Sequence, residues 1–174
     1  AAVVSATGVQ PKSPGKPEPT MLHMAARSCQ SERPLVVGDR LNTDLAGARA
    51  ADIPGLIVLT GVSTARDVVL AIPQQRPSFI GADLRCLLDR HEAPTRDGDW
   101  WRLRASAARV VDGMLELVDS TLEPTAASAN TTSIAADAAP DKLDPVRVAA
   151  AAVWAAADAG EAIDPTSVPD FPVA

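Results

Sequence analysis

Leu35-Val36-Val37-Gly38-Asp39-Arg40-Leu41-Asn42-Thr43-Asp44 is the stretch of this 174-residue chain whose residue types and spacing could do chemistry. It reads as an apolar strand that ends at a glycine, followed by two carboxylates with a helix start between them. Asp39 falls at the carboxyl end of the strand, where an open α/β sheet leaves its binding crevice. A carboxylate oxygen there suits a hard cation such as Mg²⁺ far better than a soft metal. Asp44 falls in the first turn of the next helix, near the positive end of its dipole, where it can hold the loop or a metal-bound water.

The elements that must position these acids alternate in type. The spacing predicts a strand from Leu35, a helix over Asp44 to Ala51, and a turn at Asp52-Ile53-Pro54-Gly55. A strand follows over Leu56 to Thr60, then a loop Gly61 to Thr64, a helix Ala65 to Ala71 stopping before Pro73, a strand Ser78-Phe79-Ile80 and a helix Asp83 to Arg90. Upstream, Ala1 to Gly8 reads as the last turns of a helix ending on glycine, so the chain is expected to begin inside a domain. A polar connection then leads through Gly15-Lys16-Pro17-Glu18-Pro19 into a helix over Pro19 to Cys29. Apolar strands alternating with short helices point to a parallel sheet covered on both faces, the open three-layer α/β arrangement. Three strands are too few for a whole one, so the fold is expected to be partial.

Downstream the grammar changes. His91 to Asp99 has the composition of a linker, Trp100 to Ala105 can form a strand, and Ala108 to Val111 with Met114 to Val118 flank Asp112-Gly113 as a hairpin. The tryptophans are read as hydrophobic cover for this small sheet. Ser120 to Pro140 is rich in Ala, Ser and Thr and is expected to be a flexible loop. Asp144-Pro145 is expected to cap a strongly apolar helix, Val146 to Ala159, ended by Gly160. Its surface is too apolar for water, so Val146, Val153 and Trp154 should dock on the hairpin or on the main domain. The expected division is 1–92 for the α/β part and 93–174 for the appended hairpin, loop and Ala-rich helix.

Composition excludes some function classes. A net charge of −6 and an aromatic content of 3% argue against nucleic-acid binding by the whole surface or by stacked rings. The charge is uneven: the first ninety residues carry ten Lys/Arg against eight Asp/Glu, and the remainder carries six against fourteen. Phosphate chemistry therefore belongs to the first part. Cys29 and Cys86 lack metal-ligand spacing and are expected to be buried, reduced thiols. His23 is read as a structural histidine. The longest uninterrupted apolar run, Val148 to Ala157, is too short to span a bilayer, and a cytoplasmic location is expected.

Gly15-Lys16-Pro17, followed by Val37-Gly38-Asp39-Arg40-Leu41-Asn42-Thr43-Asp44 and Leu59-Thr60-Gly61-Val62, resembles the C-terminal part of a haloacid dehalogenase (HAD) superfamily phosphatase. The branch is the one containing p-nitrophenyl phosphatases, phosphoglycolate phosphatases and the nucleotide phosphatases of the NagD type, and the likeness covers roughly residues 9 to 90. The appended hairpin and helix are similar to those of an actinobacterial glycerol 3-phosphate phosphatase. The resemblance implies a Rossmann-like core and Mg²⁺ as cofactor. It implies Lys16 as the lysine that neutralises the nucleophilic carboxylate and the transferring phosphoryl group, so that it is both catalytic and substrate-binding. It implies Asp39 as a direct metal ligand and Asp44 as a catalytic acid that holds the loop and metal-bound water. Asn42 departs from the acid common at that place and reduces the local charge.

The family's aspartyl-phosphate chemistry needs an Asp-x-Asp at a strand end, and the chain has none. Asp97-Gly98-Asp99 has the spacing, but no apolar strand precedes it and no Thr follows. The nucleophile, its strand and the selectivity-giving cap are expected on another segment. The implied partners are accordingly a small phosphomonoester, the N-terminal half of the same enzyme and a second copy of the chain, with no nucleic acid and no membrane. Two other readings stay open: a non-catalytic module that docks a partner through its apolar tail helix, and a receiver-like phospho-acceptor domain. The second is disfavoured because its lysine should follow the acceptor aspartate, whereas Lys16 precedes Asp39.

Overall fold

A computed structural model describes residues 2–9, 14–119 and 141–172. Two short helices come first. α1 (Ala2–Thr7) ends on Gly8, whose φ of 68° stops the helix. α2 (Thr20–Ser28) buries none of its residues fully, and Cys29, which ends it, is exposed. That corrects the expectation of two buried thiols: only Cys86 is buried, where loss of solvation pushes its thiol up from the ordinary range. His23 donates from Nε2 to the carbonyl of Ala51 at 2.9 Å and so ties α2 to the next helical segment, the structural role expected of it.

Three parallel strands follow, β1 (Val36–Gly38), β2 (Gly55–Val58) and β3 (Phe79–Gly81), in the spatial order β1-β2-β3. Val37 pairs with Leu56, and Ile57 with Ile80. Every residue of the central strand β2 is buried, which is why Gly55-Leu56-Ile57-Val58 shows no alternation of polar and apolar residues. The chain leaves β1 through a π-helical turn, Leu41–Leu45, that runs into α3 (Ala46–Ala50). The helix expected from Asp44 thus begins three residues earlier. It leaves β2 through α4 (Ala65–Val69), which Thr64 and Asp67 fix with a reciprocal capping box. Residues Leu84–Leu88 form a 3₁₀ helix in place of the longer helix expected over Asp83 to Arg90. Leu84, Leu87 and Leu88 are exposed, so no packed apolar face sustains a longer helix there.

The appended part opens with a strand that the sequence conceals. β4 (Thr95–Asp97) lies inside the presumed linker and pairs antiparallel with β5 (Trp100–Leu103) across a turn at Gly98-Asp99. All three residues of β4 are exposed, and a strand polar on both faces carries no hydrophobic signature. β6 (Ser106–Val111) and β7 (Met114–Asp119) complete a four-stranded sheet, with Asp112 and Gly113 both at positive φ in the hairpin turn. Trp101 packs against the core, and Trp100 lies on the other face with the Arg109 guanidinium 4.5 Å from its ring centroid.

The final helix, α5 (Asp144–Asp158), joins the two sheets into one core. Its Val146, Val148, Ala149, Ala150, Ala152 and Val153 share a buried cluster with Leu103, Ala108 and Leu115 of the second sheet and with Val68 and Val69 of α4. Both docking surfaces expected for it are therefore used at once. Trp154 stays half-buried, with the Arg76 guanidinium 5.5 Å from its ring centroid. The helix starts at Asp144, so this residue lies inside it instead of capping it. The segment Ser120 to Pro140, expected to be a flexible loop, lies outside the described residues.

Candidate active site

Everything the sequence singled out for chemistry collects where β1 ends. The backbone turns sharply after Gly38, Arg40 is extended with φ −123°, and Asp44 enters the first helical turn. Asp44 is 4% exposed, and a buried carboxylate without partners would cost several kcal/mol. It has two: the Arg40 backbone N–H donates to Oδ2 at 3.1 Å, and the Lys16 ammonium donates to Oδ1 at 2.5 Å. Lys16 stays half-exposed at its own end, so its charge faces the mouth of the site while its reach is fixed from below. Glycine at 38 is required by close approach, since a Cβ there would overlap the Asp44 side chain.

Asp39 is half-buried and held by the loop that follows β2. Its Oδ2 accepts the Val62 N–H at 3.0 Å, and its main-chain carbonyl accepts the Ser63 N–H at 3.0 Å. The Ser63 hydroxyl accepts the Leu41 N–H at 3.1 Å, so the two loops are stitched on either side of Asp39. Among the described residues no hydrogen bond engages Asp39 Oδ1. The structure therefore brings Lys16 and Asp44 into contact and presents Asp39 from the same strand end. Gly61-Val62 carries part of the family resemblance, but its spacing alone assigns it no role. The available signal was a glycine and a hydroxyl residue directly after a buried strand.

A free anionic oxygen at a strand end has the right chemistry for a hard cation. Among the described residues, however, no group of three His, Cys, Asp or Glu side chains gathers to hold a metal ion. The chemistry of these residues suits Mg²⁺ as a partial donor set: Asp39 keeps one carboxylate oxygen open, and Asp44 is occupied in holding Lys16 and the loop. Asn42 is exposed. Asp97-Gly98-Asp99 lies at the exposed β4–β5 turn, where Asp97 accepts a 2.8 Å bond from Arg102.

With that geometry in place, the comparisons with known proteins point one way. Residues 13–87 match the family described as HAD-hydrolase-like, and this segment is a HAD-like hydrolase segment. D-glycerol 3-phosphate phosphatase of Mycobacterium tuberculosis is 51% identical over 87 residues, which are 50% of this chain and 25% of that protein. Dihydroxyacetone phosphatase of Corynebacterium glutamicum is 30% identical over 100 residues, 56% of this chain and 36% of that protein. A crystal structure of the M. tuberculosis glycerol phosphate phosphatase in complex with magnesium superposes with a TM-score of 0.64 at 35% identity, covering 88% of this chain and 40% of that one. The shared fold thus extends beyond the parallel sheet into the appended part. The chain spans a quarter to about a third of the length of these curated relatives. No helix among the described residues is long and apolar enough to cross a membrane.

Proposed function

We propose that this chain supplies the lysine and metal-facing half of a Mg²⁺-dependent HAD phosphatase that hydrolyses a small phosphomonoester. Glycerol phosphate, which the M. tuberculosis relative is named for, is the first substrate to test. The carrying observation is the buried Asp44 holding the Lys16 ammonium at the end of β1 beside Asp39. In the complete enzyme, meaning this chain together with the segment bearing the nucleophile, an aspartate carboxylate attacks phosphorus and the alcohol leaves with a proton given by the second aspartate of the Asp-x-Asp, which takes a proton back from the attacking water in the next step. Water then cleaves the aspartyl phosphate, releasing inorganic phosphate and restoring the carboxylate. Lys16 neutralises the crowded oxygens throughout, because a fixed ammonium gains most where negative charge concentrates. Asp44 fixes Lys16, and Asp39 offers its free oxygen to the cation, whose contribution when bound is to offset phosphoryl charge.

An aspartate-to-asparagine exchange at Asp39 tests this reading. An amide oxygen is a poorer donor to a hard cation than a carboxylate, so Asp39→Asn should weaken Mg²⁺ binding at least about tenfold, or about 1.4 kcal/mol, and depress turnover with it. Calorimetric Mg²⁺ titration of the complete enzyme measures this, and an unchanged affinity refutes the metal assignment. The competing reading, a module that holds a partner through its apolar tail helix, has little support: the apolar face of α5 is already covered by the second sheet and α4.

A further inference from the structure

Gly61 and Ser63 flank the Val62 N–H that binds Asp39, and their geometry is narrower than a loop requires. Gly61 does not occupy the left-handed region, so backbone conformation does not demand a glycine there. What demands it is space: a Cβ at 61 would run into the Asp39 side chain, at its Cβ and Cγ as well as at Oδ2. An added methyl group therefore cannot be accommodated by a swing of the carboxylate tip alone; the whole Asp39 side chain has to move. The adjacent Val62 N–H occupies Oδ2 at 3.0 Å. Ser63 then holds both flanks of Asp39, donating its N–H to the Asp39 carbonyl at 3.0 Å and accepting the Leu41 N–H on its hydroxyl at 3.1 Å.

We infer that the Gly61-Val62-Ser63 loop is a positioning element for the metal-binding carboxylate: it fixes the Asp39 rotamer and reserves Oδ1 as the oxygen presented to the cation. The inference rests on the reading of Asp39 as a Mg²⁺ ligand. A carboxylate with both oxygens free samples several orientations, and holding one oxygen on a backbone N–H removes that freedom before the cation arrives. Gly61 supplies the clearance, Val62 the anchor and Ser63 the rigidity of the frame. No group in the loop touches the substrate or the cation itself.

Four variants of the complete enzyme decide the matter, read by calorimetric Mg²⁺ affinity, by kcat at saturating Mg²⁺ and by melting temperature. Gly61→Ala should weaken Mg²⁺ binding tenfold or more, approaching Asp39→Asn. Ser63→Ala should weaken it about three- to tenfold with kcat recovered at saturating Mg²⁺, and Ser63→Thr, which keeps the hydroxyl, should restore the affinity. Wild-type affinity in both Gly61→Ala and Ser63→Ala, with Asp39→Asn impaired, overturns the positioning role and leaves the metal role standing. Unchanged affinity in Asp39→Asn overturns the functional reading beneath it. Should Gly61→Ala fail to fold, the Ser63 pair decides alone: loss restored by threonine supports the inference, and no loss overturns it.

Discussion

Lys16→Ala in the complete enzyme is expected to lower phosphomonoester turnover by about two to three orders of magnitude, the range seen when one preorganised charge-stabilising donor is removed. Substrate affinity should fall much less, because the ammonium acts most strongly on charge that develops as phosphorus is transferred. Lys16→Arg should recover little. The ammonium is a point charge 2.5 Å from Asp44 Oδ1, and the planar, wider guanidinium fork cannot take the same position without displacing the carboxylate or Arg40. Lys16 itself is 51% exposed, but Asp44, left with the Arg40 N–H alone in the alanine variant, is buried, so melting temperatures are read beside the rates to separate lost stability from lost chemistry. Steady-state rates on glycerol phosphate check this. Wild-type turnover in both variants would remove Lys16 from the chemistry.

The second large effect lies outside the site. Asp144 is 1% exposed and gathers two guanidinium groups: Arg104 donates to its oxygens at 2.7 and 2.9 Å, and Arg147 donates at 3.0 Å. Arg147 also reaches the Ile80 carbonyl on β3 at 3.0 Å, and Arg104 pairs with Glu92 at 3.1 Å. One buried carboxylate thereby links α5, the second sheet and the parallel sheet. Its hydrogen bond to Arg104 is the chief reason that guanidinium is held above its ordinary range. Asp144→Ala takes the shared anion away while Arg147 keeps Asp141 at 2.6 Å and Arg104 keeps Glu92, so the loss of stability should fall at the lower end of the usual penalty for removing one partner of a buried ion pair, about 3 kcal/mol. Asp144→Asn, which keeps one acceptor oxygen, should cost less, about 1–3 kcal/mol. Urea unfolding followed by tryptophan fluorescence is the measurement, because Trp100, Trp101 and Trp154 all lie in the segment this carboxylate ties down. A loss below about 1 kcal/mol in the alanine variant would mean that the cluster does not hold the two sheets together.

How much of this was legible in the sequence differs from residue to residue for physical reasons. β2 and the Asp112-Gly113 hairpin were readable because continuous apolar burial and positive-φ turn residues leave marks on composition. The placement of Asp39 and Asp44 at the end of β1 was readable because a glycine-ended strand followed by acids is a local pattern. β4 was not, since Thr95-Arg96-Asp97 is exposed throughout and pairs only through its backbone. Asp144 was misread as a cap because its real partners, Arg104 and Arg147, include one forty residues away, and no local rule connects them. The same holds for Gly61 and Asp39, twenty-two positions apart in sequence yet in contact. Sequence spacing shows which residues share an element, and only packing shows which elements share a carboxylate.

The most direct test of the central claim is reconstitution. The 174-residue chain, a separately produced N-terminal half carrying the Asp-x-Asp strand and cap, and a mixture of the two are assayed for glycerol phosphate hydrolysis with and without Mg²⁺. Expected are no hydrolysis by the chain alone and Mg²⁺-dependent hydrolysis by the mixture, strongly lowered when the chain carries Lys16→Ala or Asp39→Asn. Hydrolysis by the chain alone, or a mixture indifferent to both substitutions, would contradict that claim.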